Sequence, residues 1–189
     1  MSASRRYLFL LASSRLEGNS EHLARQAAAN LPGGTETRWI RLEEHPLPPF
    51  EDTRHSTGYQ APEGNAALLA EATLWATDLV VVTPVYWYSL PAPAKLYFDH
   101  WSGWMRVPSL ALKDTLRDRR MWAVIADAGS EEEASSDLLE GMLQRTANYM
   151  HMAWMGALVG HANQPGEVAK DTRAMTAAET YFQKAPTHV

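Results

Sequence analysis

The stretch LLASSRLEGNS, residues 10 to 20, joins the end of a short apolar run to a polar loop and the start of an amphipathic segment. A second stretch, TPVYWYSLPAPAKLYFDHW at residues 83 to 101, follows the third apolar run in the same way. Each pattern predicts a strand, a loop and a helix. The loops at the carboxyl ends of parallel strands form the ligand-binding edge of an open sheet, so both stretches are expected to face one ligand.

The rest of the chain repeats this alternation of short apolar runs with longer amphipathic stretches, which is typical of a parallel sheet with helices on both faces. Strands are predicted at Arg6–Ala12, Glu36–Leu42, Asp78–Thr83, Met121–Asp127 and Ala153–Val159. Helices are predicted at Asn19–Asn30, Asn65–Trp75, Ala92–Gly103, Glu132–Tyr149 and Glu167–Lys184. Right-handed crossovers favour an α/β three-layer sandwich whose five-stranded parallel sheet has the order 2-1-3-4-5.

Length and composition predict one domain over residues 1–189. The chain has 46% hydrophobic and 21% charged residues, which suits an ordinary globular core. One long segment, Glu43 to Gly64, is rich in proline and has neither helical nor alternating periodicity. We expect it to wrap over the sheet edge, and long loops of this kind are often functional.

Several function classes are disfavoured by composition. The absence of cysteine excludes disulfides, thiolate metal sites and a thiol nucleophile. A net charge of -5 argues against nucleic acid as a partner, and the basic cluster Arg117–Arg120 is interpreted as a solvated turn. No apolar run is long enough for a membrane span or resembles a cleavable signal, so we expect a cytoplasmic protein without a membrane partner. The seven histidines show no metal-ligand spacing.

The first loop has the chemistry of a phosphate site. A helix start leaves about four backbone N–H groups without partners and carries about half a positive charge. Ser13, Asn19 and Ser20 add hydroxyl and amide donors, Gly18 allows close backbone approach, and Arg15 offers a charged fork. The alternative is that Asn19 or Ser20 only caps the helix while Arg15 is solvated. The loop has neither the P-loop nor the dinucleotide glycine pattern, which disfavours ATP.

The second loop has the chemistry of a site for a flat ring. Pro84 ends the strand ladder, and three consecutive aromatic residues, Tyr86, Trp87 and Tyr88, follow Val85. Burial under a neighbouring element is the structural alternative for each aromatic ring. All three cannot point the same way, however, so at least one is expected to face the cleft or a partner subunit.

These two loops resemble a known family. SSRLEGNS is similar to the S-x-R-x-x-G-N-[ST] phosphate loop, and PVYWYSLPAPAKLYFD to the flavin-loop segment, of the flavodoxin-like NAD(P)H-dependent FMN reductases and quinone reductases. The likeness extends to the proline-rich LPPFED and to the VIADAGS loop after strand four. It therefore covers nearly the whole chain and implies a flavodoxin-like fold.

The resemblance also implies a cofactor and its contacts. Ser13, Arg15, Gly18, Asn19 and Ser20 would hold the phosphate of FMN. The isoalloxazine would be lined by Pro84, Val85, Tyr86, Trp87 and Tyr88, and the pocket completed by Asp127, Ala128 and Gly129. A carboxylate at Asp127 would oppose the anionic reduced flavin.

The implied function is oxidoreduction. NADPH or NADH would donate a hydride to flavin N5, and a quinone or similar flat small-molecule electron acceptor would then take it in a ping-pong cycle, without a catalytic side chain. The alternatives are a flavodoxin-type one-electron carrier and a flavin-free binding module. The run Glu131–Glu133 is predicted to place negative charges in the first turn of the fourth helix, where they suit the helix dipole. The alternative is an acidic rim near the flavin that docks a redox partner.

The resemblance further implies a homodimer with the flavin near the subunit boundary. An aromatic stripe of Tyr97, Trp101 and Trp104, with Met105 just beyond, follows the second loop at helical spacing. Such a stripe predicts core packing more often than an interface.

Overall fold

The structure, a computed structural model, describes residues 4–129, 133 and 135–184. Its centre is a five-stranded sheet, all parallel, with the order β2-β1-β3-β4-β5. The sequence predicted this order, and it is confirmed. The strands are β1 Arg6–Leu11, β2 Glu36–Arg41, β3 Asp78–Pro84, β4 Arg120–Asp127 and β5 Ala153–His161.

Within the described residues, six α-helices connect or follow the strands. They are α1 Asn19–Ala28, α2 Gly64–Trp75, α3 Ala92–Trp104, α4 Leu112–Leu116, α5 Asp137–Tyr149 and α6 Thr172–Ala178. Among the described residues, no helix has the length and hydropathy that crossing a bilayer requires.

Two hydrophobic clusters cover the two faces of the sheet. On one face, Leu8, Leu10 and Val81 pack with side chains of α2, α3, α4 and α5. On the other, Phe9 and Val80 belong to the cluster that includes α1 and α6. Because both faces are covered, the central strands are continuous apolar runs rather than alternating ones. The edge strand β2, ETRWIR, is more polar and only half-buried.

The predicted aromatic stripe on α3 is core. Tyr97, Trp101 and Trp104 are buried, and their rings meet edge to face at centroid distances of 5.7 Å from Tyr97 to each tryptophan. The Tyr97 hydroxyl lies 2.6 Å from Oγ1 of Thr73 on α2, and burial raises its pKa. The stripe therefore joins α3 to α2 within the subunit.

One helix prediction, at the carboxyl-terminal side, differs from the structure, and one helix was not predicted. The predicted helix Glu167–Lys184 is broken into a 3-10 turn at Glu167–Lys170, the helix α6, and a second 3-10 turn at Tyr181–Gln183. Tyr181 causes part of the break, because its buried hydroxyl donates to the carbonyls of Ala123 at 2.8 Å and Gly156 at 2.7 Å. The short helix α4 was not predicted, since five residues carry too little periodicity.

The proline-rich segment lies against α3, whereas the sequence placed it over the sheet edge. His100 Nε2 is 2.9 Å from the Pro48 carbonyl oxygen, and the ring of Phe50 packs on both His100 and Tyr59. A Cβ at Gly103 would lie 2.9 Å from the Tyr59 ring. Glycine therefore allows the segment to approach the helix this closely.

The cluster Arg117–Arg120 is only partly the solvated turn that the sequence predicted. Arg117 is exposed, but Arg119 donates a hydrogen bond to the carbonyl of Leu74 at 2.5 Å. Arg120 begins β4 and lies 3.7 Å from the buried carboxylate of Asp78. Arg119 and Arg120 thus link the start of β4 to the end of α2 and the start of β3.

Candidate functional site

The loops that follow β1, β3, β4 and β5 meet at one edge of the sheet and enclose a cavity of about 120 Å³. The helices after β1 and β3 lie on opposite faces, so the cavity occupies the switch point where open α/β sheets bind ligands. Its lining consists of Ser13, Arg15, Gly18, Asn19, Ser20, Pro84, Val85, Tyr86, Ala126, Ala128, Ala162 and Asn163. Nine of these residues were predicted from the two motifs and the loop after β4.

The loop after β1 is a tight turn that delivers the start of α1 to the cavity. The Arg15 N–H donates to Oγ of Ser13 at 3.1 Å, and a Cβ at Gly18 would lie 3.2 Å from that same oxygen. The first helical bond runs from the N–H of His22 to the Gly18 carbonyl at 2.9 Å. The N–H groups of the first turn consequently lack an acceptor within the helix and suit an anion.

The capping alternative is wrong for both Asn19 and Ser20. Gly18 is the N-cap residue of α1, and no side chain caps the helix. Ser20 is buried and lines the cavity, and Arg15 also lines it, although its side chain is exposed, as the alternative had it. The donors predicted at the helix start are therefore not used for capping.

Asn19 has a structural role that the sequence did not indicate. Its Nδ2 donates to the Gln164 carbonyl at 2.9 Å, and its Oδ1 accepts from the Val168 N–H at 3.4 Å. The amide thus ties the loop after β1 to the loop after β5, although it also lines the cavity. Hydrogen bonds from the N–H groups of Gln164 and Asn163 to Glu167 lower the pKa of that carboxyl and hold the same loop.

Glu21 lies in the first turn of α1, close to the cavity, and is engaged by two arginines. It accepts from Arg41 at 2.6 Å and from Arg25 at 3.1 Å. Burial by itself raises the pKa of Glu21, but the hydrogen bonds from Arg41 and Arg25 lower it further than burial raises it. The carboxylate is therefore charged, and its charge is compensated.

The loop after β3 forms a tight turn with three aromatic residues. Tyr86 and Ser89 pair through two backbone hydrogen bonds of 3.0 Å, and the central residues Trp87 and Tyr88 have φ of 50° and 62°. Positive φ at both central residues is the pattern of a type I′ turn, which glycine and asparagine normally occupy. For bulky side chains it is strained by about 1–2 kcal/mol per residue.

The aromatic rings of this turn are not buried under another element. Tyr86, Trp87 and Tyr88 are 42%, 94% and 56% exposed, so the structural alternative of core packing is wrong for all three. Tyr86 lines the cavity, but Trp87 and Tyr88, which were predicted to line it, lie outside it. The turn therefore presents apolar surface at the mouth of the site.

The loop after β4 brings only part of the predicted set to the cavity. Ala128 lines it, while Asp127 and Gly129 do not. Asp127 is buried because its carboxylate accepts hydrogen bonds from the Gly129 N–H, at 2.9 Å, and from the Ser135 hydroxyl. The carboxylate organises its own loop, which removes the expected conflict with a bound flavin.

The prediction for the acidic run Glu131–Glu133 falls mostly outside the described residues, which include only Glu133 of the three, so it stays a prediction. Glu133 precedes α5, whose first turn carries Asp137 and Glu140.

Sequence reasoning missed Ala126, Ala162 and Asn163. Ala126 is the penultimate residue of β4, and the N–H of Ala162 donates to the Asp127 carbonyl at 2.7 Å, which brings the end of β5 to the cavity. The available signal was the fifth strand itself, since parallel strands end at one edge.

A larger groove of about 750 Å³ lies beside the start of α3. It is bounded by the chain after β2, including Leu42, Leu47 and Pro49, and by Lys95 and Asp99, which pair at 2.5 Å. It is mainly apolar, and although the first residues of α3 line it, none of its lining residues carries a hydroxyl, so the smaller cavity is the better candidate site. Within the described residues, no group of three acidic, histidine or cysteine side chains is placed to hold a metal.

A family model described as Flavodoxin-like fold matches residues 5–185. The chain belongs to this flavodoxin-like fold family. Its sheet order and the position of its cavity agree with that membership.

Two of the three relatives of this flavodoxin-like protein described next are named as oxidoreductases. It is 27% identical, over 91% of its length and 93% of the other, to the Bacillus subtilis (strain 168) protein "Putative NAD(P)H-dependent FMN-containing oxidoreductase YwqN". The Trp repressor binding protein of Bacillus subtilis matches with a TM-score of 0.74 and 20% identity, covering 95% of this chain and 99% of the other. The NAD(P)H:quinone oxidoreductase of Methanothermobacter marburgensis matches with a TM-score of 0.65 and 15% identity, covering 97% of this chain and 99% of the other.

Proposed function

We propose that the protein is an NAD(P)H-dependent FMN oxidoreductase that reduces quinones or similar flat acceptors. The observation that carries the proposal is one cavity joining the uncapped start of α1 to an exposed, strained aromatic turn. The names of the matching YwqN and quinone oxidoreductase proteins support the same chemistry.

The donor set fits the two ends of FMN. The first-turn N–H groups of α1 and the Ser13 and Ser20 hydroxyls suit a phosphate dianion, with Arg15 close enough to add its charge. Pro84, Val85, Tyr86 and Ala128 offer apolar and backbone contacts for the edge of a planar ring. The narrow part of the cavity would hold the phosphate end, and the ring would lie at the open mouth along the turn.

When bound, FMN supplies hydride transfer from NAD(P)H to an acceptor through its N5 atom. The protein binds the phosphate, orients the ring against Pro84 and Val85, and excludes water from one side of the ring. The described lining residues contain no carboxylate or imidazole, and Tyr86 is their one phenol. A proton for the acceptor would therefore come from Tyr86 or solvent.

Donor and acceptor would use the same open face in turn, which is the geometry of a ping-pong cycle. The aromatic turn leaves that face accessible, because its three rings are exposed. This accessibility favours an enzyme over a one-electron carrier. Either NADPH or NADH would serve as the hydride donor.

We further propose a homodimer in the cytoplasm, with the turn at Tyr86–Ser89 near the subunit boundary. Three neighbouring exposed aromatic rings are unusual on a monomer surface and are typical of an interaction site. A cytoplasmic location would give the enzyme direct access to NAD(P)H.

The test begins with purified protein and its absorbance spectrum. We expect bound FMN, rapid bleaching by NADPH or NADH without oxygen, and reoxidation by a quinone. Bound flavin that NAD(P)H does not reduce would instead support the carrier, and protein that ignores added FMN would support the binding module.

A variant pair links this activity to the cavity. Ser20→Ala should weaken FMN affinity about tenfold, because a hydrogen bond to a charged group contributes at least about 1.5 kcal/mol. Ser109→Ala, at an exposed serine, is the control and should bind FMN like the wild type. Equal affinities in both variants would contradict the phosphate assignment.

A further inference from the structure

Arg41, the last residue of β2, extends beneath the loop after β1 and contacts it from outside the cavity. Its Nη1 donates to the Arg15 carbonyl at 3.2 Å, and its Nη2 donates to Glu21 at 2.6 Å. Its Nε lies 3.6 Å from Glu44. The side chain is only 11% exposed, although it belongs to an edge strand. The guanidinium thus connects β2 with the loop after β1 and with the first turn of α1.

The bond to Arg15 fixes the orientation of one peptide in the loop. The C=O and N–H of a trans peptide point in opposite directions, so holding the Arg15 carbonyl towards Arg41 directs the Leu16 N–H away from it. Glu17, two residues later, has a positive φ of 51°. A loop with a strained residue keeps its shape only if neighbouring groups hold it, and Arg41 is such a group.

The bond to Glu21 concerns charge. Glu21 is a nearly buried carboxylate in the first turn of the helix whose start is proposed to bind a phosphate dianion. An uncompensated charge there would repel the phosphate, and the low local dielectric would strengthen the repulsion. Arg41 and Arg25 compensate that charge, and the contact from Arg41 is the shorter of the two.

We propose that Arg41 is a positioning residue for the phosphate of the flavin: it fixes the Arg15 peptide and compensates Glu21 without touching the cofactor. The inference rests on the proposed function. It predicts that Arg41 affects FMN, which has the phosphate, and not riboflavin, which lacks it.

The experiment compares Arg41→Met with Arg38→Met. Arg38 is on the same strand and is also paired, with Glu71 at 2.8 Å, but it is remote from the loop. Dissociation constants for FMN and riboflavin are measured by quenching of flavin fluorescence. We expect Arg41→Met to raise the FMN constant at least tenfold and the riboflavin constant less than twofold, and Arg38→Met to change both less than twofold.

A merely structural role would weaken both flavins in parallel, so an unchanged ratio of the two constants in Arg41→Met overturns the inference. A wild-type protein that binds neither flavin overturns the proposed function as well, which separates the two failures. If Arg41→Met does not fold, Arg41→Lys replaces it, and the same ratio must rise at least threefold.

The charge component has its own test. In Glu21→Gln/Arg41→Met the carboxylate that Arg41 compensates is also removed, so FMN affinity should recover at least threefold relative to Arg41→Met. No recovery would show that compensation of Glu21 is not part of the role of Arg41.

Discussion

Ser13, Gly18 and Asn19 illustrate how far single residues in the loop after β1 could be predicted. The spacing of Ser13 and Gly18 after an apolar strand indicated a tight, anion-binding turn, and both line the cavity. The role of Asn19 could not be predicted, because its partner Gln164 lies 145 residues away in sequence. Local patterns identify which donors are available, but tertiary contacts decide which of them are already used.

Asp127 likewise shows that tertiary contacts decide where a predicted charge points. The sequence placed a carboxylate at the flavin edge, whereas the structure turns it to Gly129 and Ser135. Ser135 is eight residues away across a segment without periodicity, so its return to Asp127 had no sequence signal.

Glu21 leads to a prediction about pH at this scale. Its pKa is lowered in the folded protein from an ordinary value of 4.5, so the charged form stabilises the fold above about pH 4.5. That stabilisation is lost as pH falls through the folded-state pKa, because protonation breaks the contacts with Arg25 and Arg41. Glu21→Gln should therefore unfold at a lower temperature than wild type at pH 7, by up to a few degrees.

The difference in melting temperature between the wild type and Glu21→Gln should become smaller as the pH falls. Thermal unfolding of both proteins at pH 7, 5, 4 and 3 measures the difference. A gap in melting temperature that stays constant or widens towards pH 3 would contradict this account of Glu21.

At the scale of elements, the strands were predictable because continuous apolar runs need cover on both faces, and both clusters supply it. The helical segments at the carboxyl-terminal end could not be predicted in the same way. Asp171 caps α6 by accepting from the Ala174 N–H at 3.0 Å, and Tyr181 bonds across the sheet to β4 and β5. These contacts divide a segment whose local composition predicts one helix.

The turn at Tyr86–Ser89 gives a prediction about an element under strain. Trp87→Asn/Tyr88→Gly places the residues that a type I′ turn prefers at its two central positions. We expect the free energy of unfolding to rise by about 1–2 kcal/mol, because the strain relieved at the two residues outweighs the greater entropy of glycine in the unfolded chain. The same variant should lose flavin affinity or acceptor turnover, since the exposed aromatic surface is removed.

Chemical denaturation and quinone reductase assays measure the two effects. Trp87→Phe/Tyr88→Phe keeps an aromatic ring and a bulky side chain at both strained positions, and it is the matched control for stability. A variant with the Asn-Gly turn that is less stable than this control would contradict the interpretation of the turn as strained.

At the scale of the whole molecule, the sequence predicted the sheet order and a homodimer, and only the former is confirmed. The aromatic stripe on α3 does not indicate a subunit interface, because its side chains are buried in the core of the subunit. Exposed side chains that suggest an interface are at the turn after β3 and on α5, where Leu138 is 70% and Tyr149 is 61% exposed.

The dimer prediction is tested by sedimentation of the holoprotein. We expect a dimer at micromolar concentration, and Trp87→Ser should shift the equilibrium towards monomer because it removes the most exposed ring. Ser102→Ala, a small change on α3, should leave the monomer–dimer equilibrium unchanged. A monomeric wild type with full activity would contradict the dimer.

The amide of Asn19 joins the first loop of the chain to residues 164 and 168. During synthesis on the ribosome, the amino-terminal strands emerge long before those partners do. A nascent polypeptide that ends before Val168 would therefore lack part of the support of this cavity. Under the proposed function, cofactor loading would then be one of the last events in the maturation of the protein.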